Sequence, residues 1–252
     1  MRIASLGSGS KGNGTLIEDG QTSVLVDLGF NLKEAARRLG RLGRRPEDVD
    51  AILVTHEHGD HINGVAAFAR KYGTRVYMTH GTYNPDRQGL LPALHYVNSH
   101  RDFRVGTINV TPVAVPHDAR EACQYVFSSG GARVGVLTDL GHVTPWVERC
   151  YAECDALLLE CNHDVQMLMD GPYPWPLKRR VGGDLGHLNN EQALGLLQRV
   201  NLSRLSHLVV SHISEQNNTP EAALSALSPA LDAWQGEVRV ACQDAGFSWI
   251  EL

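Results

Sequence analysis

The segment Thr55-His56-Glu57-His58-Gly59-Asp60-His61 places four metal-ligand side chains in six consecutive positions. It follows the run Asp50-Ala51-Ile52-Leu53-Val54, which reads as a buried strand that delivers the cluster to its C-terminal end. Alternate side chains of an extended segment point the same way, so His56 and His58 can grip one ion. Asp60 and His61, where the chain begins to coil, can face a second. A lone histidine here would be an ordinary surface residue; this density of ligand types points instead to two metals held close together. The helical zinc-protease pattern, with its histidines four apart, does not compete.

Other ligand-type residues occupy the ends of predicted strands. Ile108 to Val115 is rich in β-branched residues and runs into Pro116-His117-Asp118, so His117 is the third ligand the first ion needs. Gln124 to Ser128 and Arg133 to Thr138 flank the hairpin signal Gly130-Gly131, and the second of these strands ends at Asp139. Two neighbouring cations require a bridging anion, which makes Asp139 the expected bridge. His207 to Ser211 is a strand followed by His212, the expected completion of the second site. Asp27, at the end of the strand from Ser23, has the same placement and could act as a cap.

Several segments could bind substrate. Gly7-Ser8-Gly9-Ser10-Lys11-Gly12-Asn13-Gly14 is either a cradle whose backbone N–H groups approach an anion, with Ser10, Lys11 and Asn13 as contacts, or a flexible turn. The alternating prolines of Gly171 to Arg180 predict a loop, since they deny it both helix and ladder. That loop either stacks Trp175 on bases while Lys178, Arg179 and Arg180 hold phosphates, or is pinned by its own aromatics. Asn31 to Leu42 predicts a helix capped by Asn31; its Arg37, Arg38 and Arg41, continued by Arg44 and Arg45, form a solvated face or a phosphate patch. His187 precedes a helix capped by Asn189 or Asn190, where the dipole favours a neutral imidazole. Strand Arg75 to Thr79 follows helix Val65 to Tyr72, an α/β alternation. His80, His95 and His100 read as surface or structural residues.

The whole chain sets the frame. With 252 residues, 42% hydrophobic and 20% charged, and a net charge of −5, it reads as one globular domain, residues 1–252. No global positive field advertises nucleic acid. The five cysteines lack the spacing of a disulfide framework or a zinc knuckle, which predicts a reducing cytoplasm. No signal core and no apolar run of about eighteen residues appears, so neither export nor a membrane is expected.

In this order, His56, His58, Asp60, His61, His117, Asp139 and His212 resemble the ligand series of the metallo-β-lactamase fold superfamily. The resemblance implies an α/β fold, the four-layer αββα sandwich, with two divalent ions per chain. Gly7 to Asn13, Glu160-Cys161-Asn162-His163 and Gly186-His187-Leu188-Asn189-Asn190 narrow it to the YycJ/WalJ exonuclease group, and more distantly to ribonuclease Z and cyclic phosphodiesterases. The narrower resemblance implies a 5′-to-3′ exonuclease with DNA rather than RNA as its nucleic-acid partner. Asp27 would orient a ligand histidine, Asp60 would hold a metal and orient the nucleophile, and Glu160 with His187 would form the proton-donor pair. Imidazole ligands favour Zn, while the oxygen-rich bridge admits Mn. The rival readings are a small-molecule hydrolase, either cyclic phosphodiesterase or thioesterase, and a non-catalytic metal-stabilised binding or regulatory module. No protein partner can be inferred.

Overall fold

The computed structural model describes residues 1–252. The chain divides into two compact units that interleave in sequence: Met1–Ala114, Ala119–Ala132 and Cys242–Leu252 form the first, Val115–Asp118 and Arg133–Ala241 the second. No helix is long and apolar enough to cross a membrane.

In the first unit, β1 (Arg2–Gly7), β2 (Gly14–Glu18), β3 (Ser23–Val26), β4 (Ala51–Leu53), β5 (Arg75–Met78) and β6 (Leu94–Tyr96) lie in that order, with the strand Phe247–Glu251 beyond β1. Pairing is antiparallel from Phe247–Glu251 through β3 and parallel from β3 to β6. β7 (Phe103–Val105), β8 (Ile108–Ala114) and β9 (Cys123–Ser129) form an antiparallel set in the same unit. Helices Leu32–Arg41 and Val65–Tyr72 pack Leu39, Val65 and Phe68 against Leu6, Leu16, Leu25 and Ile52. Asn31 caps the first helix as expected, its side chain accepting from Glu34 N at 3.0 Å.

Neither reading of the arginines on that helix survives intact. Arg38 is only 5% exposed. Its guanidinium donates to the carbonyls of Leu6 and Gln243 at 2.7 and 2.9 Å and lies 4.1 Å over the Phe30 ring. Arg41 reaches the carbonyls of Leu6 and Asp244, and Arg44 binds both carboxylate oxygens of Glu18 at 2.7 Å. These cations tie the helix and the segment after it to β1, β2 and the C-terminal segment; Arg37, Arg41 and Arg45 are exposed, and of these Arg41 is still held by backbone carbonyls.

The second unit is built on β10 (Ala132–Leu137), β11 (Ala156–Glu160), β12 (His207–Ser211) and β13 (Glu237–Val240), all parallel and paired in sequence order. Leu157, Leu158, Leu159, Val209 and Val210 are buried, the continuous apolar run of strands covered on both faces. Parallel pairing brings all four C-terminal ends to one edge. Gly130 and Gly131, between β9 and β10, have φ of 60° and 88°, as a tight glycine turn requires.

The expected loop at Gly171 to Arg180 is a correction: Trp175–Val181 is a helix. Pro174 sits extended at its N-cap and Pro176 in its first turn, where a missing N–H leaves no helical bond unmade. The alternating prolines start a helix here instead of forbidding one.

Candidate functional site

In the first unit the turn after β4 is clamped from two sides. Asp27 N donates to Leu53 O, Leu28 N to His61 O and Gly64 N to Leu28 O, each at 2.8 Å. Gly29 lies so close beneath that a Cβ there would meet Asp60 O at 2.0 Å. Asp27 accepts from Thr55 N, from Thr55 Oγ1 and from His61 Nδ1, all at 2.8 Å. Thr55 Oγ1 in turn accepts from His56 Nδ1 at 2.9 Å. Both rings are thereby fixed with Nδ1 satisfied and Nε2 presented. The Nε2 of His56 lies 3.0 Å from Nδ1 of His58, near the ~3.3 Å edge of a tetrahedron with Zn–N bonds of about 2.05 Å.

The Gly-Ser loop proves to be a braced structure. Asn13 is buried; its amide donates to Gly9 O at 3.1 Å and lies 3.2 Å from Asp60 Oδ2 and 3.0 Å from His61 Nε2. Asn13 therefore ties the loop to the side chains of Asp60 and His61, a different place from the substrate contact expected of it. Gln243 holds the other flank through Lys11 N and Gly12 O. Ser10 and Lys11 are exposed at the tip.

In the second unit, Asp139, Glu160, His187 and His212 each offer a ligand atom within 4.8 Å of the others. Glu160 is fully buried, and its carboxylate takes four donors: His187 Nδ1 at 2.8 Å and His212 Nδ1 at 3.0 Å on Oε1, Leu140 N at 3.2 Å and Leu188 N at 3.1 Å on Oε2. Burial pushes its pKa up, but the charge and hydrogen bond of His187 and the bond from His212 outweigh that and hold it down at about 2. Burial opposes the charged form of His187, while Glu160 and Asp139 stabilise it, with a net upward shift. His117 donates Nδ1 to Gly186 O at 3.0 Å, and burial lowers its pKa, favouring the neutral ring a metal needs.

The only non-glycine residues with positive φ are Asp27, Asp139 and His212, at 60°, 53° and 54°. Asp27 and His212 directly follow strands and Asp139 comes two residues after one, and all three are residues for which the sequence predicts metal-site roles. Strain of this kind persists where surrounding structure enforces it, commonly at functional sites.

The donor set fits divalent metals. His56, His61, His117 and His212 each have Nδ1 engaged by a hydroxyl, a carboxylate or a backbone carbonyl, so Nε2 is the atom each ring would offer a metal, that of His61 in exchange for its contact with the Asn13 amide. That is the tautomer control expected of metal-binding histidines. The expected substrate residues divide: Trp175 is 55% exposed, Arg179 is exposed, and Arg180 forms an ion pair with Asp118, beside His117. The sequence pattern does not single out Thr55, Asp118 or Asn162, whose amide donates to His212 O at 3.1 Å. Of the three only Thr55 carries a signal, a hydroxyl next to the cluster.

The beta-lactamase superfamily domain matches residues 22–213. The chain is similar to the exodeoxyribonuclease WalJ of Streptococcus pneumoniae, 37% identical over 229 residues that cover 88% of this chain and 85% of that protein. It is also similar to the exodeoxyribonuclease YycJ of Bacillus anthracis, 34% identical over 236 residues, 92% of this chain and 89% of that one. Among solved structures, the metallo-beta-lactamase fold protein YhfI from Bacillus subtilis aligns over 99% of both chains with a TM-score of 0.77 at 16% identity. The fold class is the expected one.

Proposed function

The chain belongs to the beta-lactamase superfamily, and from that premise we propose that it is a metal-dependent hydrolase of DNA phosphodiester bonds, an exonuclease working 5′-to-3′. His56, His58, Asp60, His61, His117, Asp139 and His212 are its metal ligands, for two Zn or Mn ions. The observation that carries the metal chemistry is the common tautomer of four histidines, each with Nδ1 on a hydrogen-bond acceptor so that Nε2 would ligate. The similarity to exodeoxyribonucleases over most of both lengths supports DNA as the substrate and disfavours a small-molecule hydrolase or a non-catalytic module.

Two divalent cations, when bound, would supply an activated water and offset the negative charge that develops on the phosphorus oxygens. The chain provides the rest. Asp60 orients the attacking water. His187 gives a proton from Nε2 to the departing sugar oxygen, and Glu160, bonded to Nδ1 at 2.8 Å, fixes the ring in the donating orientation. The neighbouring carboxylates raise the affinity of His187 for that proton. Arg179, Trp175 and the loop tip at Ser10 and Lys11 contact the strand outside the reacting centre.

Labelled single- and double-stranded DNA, RNA and bis-p-nitrophenyl phosphate, each assayed with Zn or Mn, test the proposal. Shortening of DNA from its 5′ end, stopped by a chelator and restored by metal, is expected. Hydrolysis of the small diester with DNA left intact would overturn it.

A further inference from the structure

A pocket of about 330 Å³ opens in the second unit, lined by His163, Leu168, Met169, Trp175, Lys178 and Arg179, with Gly182 and Asn189 at its margin. Its volume is at the small end of the range for ligand sites. His163 is 2% exposed, and its Nδ1 is buried without a hydrogen-bond partner. Buried polar atoms are nearly always bonded, and this exception belongs to a ring that lines the cavity. Burial holds the pKa of His163 down at about 4, with Glu160 and His187 acting on it in opposite directions. The ring is therefore neutral, and it offers one donor and one acceptor.

The remaining walls share a chemistry. Leu168 and Met169 are apolar, Trp175 stands exposed, and Lys178 and Arg179 add positive charge. A largely apolar pocket with a neutral hydrogen-bonding ring in its wall and an aromatic beside cations suits a nucleobase carrying a phosphate. The pocket is also fastened to the proton-donor pair. His163 bridges Asn189, Asn190 N donates to His163 O at 3.0 Å, and Asn162 N donates to Leu188 O at 2.9 Å, so the segment that bears His187 forms part of the same framework. A Cβ on Gly182 would lie 3.7 Å from His163 Nε2, so glycine there leaves the ring room.

We propose that this pocket receives one base of the DNA strand beside the scissile phosphate, with Trp175 stacking on it and His163 reading its edge by hydrogen bonding. The inference rests on the nuclease reading and makes His163 and Trp175 determinants of substrate position and base preference. His163 carries no part of the proton-donor chemistry.

The test is calorimetric binding of a deoxynucleoside 5′-monophosphate and of deoxyribose 5-phosphate to the metal-loaded enzyme, wild type and His163→Phe. The nucleotide is expected to bind about tenfold tighter than the sugar phosphate in the wild type, and the advantage should vanish in the variant. Equal binding of the two by the wild type would overturn the proposal without any variant. Trp175→Ala provides a second arm should His163→Phe fail to fold; an undiminished advantage there removes the stacking role. Oligonucleotides with an abasic terminal residue separate the two ideas. DNA cleavage indifferent to the missing base sinks the pocket alone, whereas nucleotide binding with no DNA cleavage sinks the nuclease reading and leaves the pocket.

Discussion

The two units hold their candidate metal ligands by opposite means. In the first, the histidines come from one short turn, and the rings of His56 and His61 are fixed by a small neutral or anionic acceptor within that unit, Thr55 Oγ1 and Asp27 respectively. In the second, Asp139, Glu160, His187 and His212 arrive from separate strand ends and loops and orient one another through a buried carboxylate. The turn depends on local backbone clamps. The strand-end cluster depends on the charge balance of groups distant in sequence. The first arrangement should tolerate loss of metal, while the second gathers two buried carboxylates whose charge the neighbouring imidazoles and backbone amides must then offset.

The largest expected difference is between ligands. Asp139→Ala should lower both metal content and the rate on DNA by more than about a hundredfold, because it removes an anion from the crowded cluster. Elemental analysis of the wild type should approach two ions per chain, and full occupancy in the variant would show that Asp139 is no ligand. Next in size, His187→Ala should keep the metals and the fold but lower kcat on DNA by roughly a hundredfold. The loss on bis-p-nitrophenyl phosphate should be smaller, since nitrophenolate leaves without a proton. An equal drop on both substrates would make His187 a structural residue.

On the first unit's side, Thr55→Val removes the acceptor for His56 Nδ1 and one donor to Asp27, and should weaken metal binding by about tenfold. Unaltered affinity by metal titration would show that the ring needs no such anchor. Arg179→Ala should raise KM for DNA about threefold and reduce its salt dependence. Arg180→Ala should in addition disturb metal affinity, because Arg180 pairs with Asp118 beside His117. Identical behaviour of the two would dissolve that distinction.

The smallest effect concerns acid. The Glu160 carboxyl has a pKa of about 2 in the folded, metal-free protein against an ordinary value of 4.5. A depressed carboxyl contributes stability that is complete above the unfolded value and lost as pH falls through the folded one. The metal-free wild type should therefore lose stability between about 4.5 and 2 more steeply than Glu160→Gln, as followed by denaturant titration at stepped pH. Parallel curves would mean that the histidines do not depend on this charge.

Residues contiguous in sequence are the easiest to read. His56 to His61 stands out through density, and His117, Asp139 and His212 through their positions after apolar, β-branched strands. Glu160 and His187 become visible only by resemblance, since nothing local links two residues 27 positions apart. The helix Trp175–Val181 escapes a reading that counts Pro174 and Pro176 as breakers, because only their offsets place them at a helix start. Arg38 looks like surface charge because periodicity reports a face and not what covers it; two backbone carbonyls and the Phe30 ring do so. The role of Asn13 depends on chain approach between residues 47 apart, which no residue pattern reveals.

Left-handed backbone at Asp27, Asp139 and His212 sets a conflict for anyone selecting variants of this protein. Glycine adopts that conformation freely, whereas a side chain there costs about 1 kcal/mol. A screen that rewards only heat resistance of the metal-free chain would favour glycine at Asp139, a buried carboxylate close to that of Glu160, and the gain would discard a proposed ligand, whereas the hydrogen bonds of Asp27 to Thr55 and His61 and of His212 to Glu160 oppose the same exchange there. Durability and chemistry are thus in direct opposition at a single residue, and improvement of one has to be sought elsewhere in the chain.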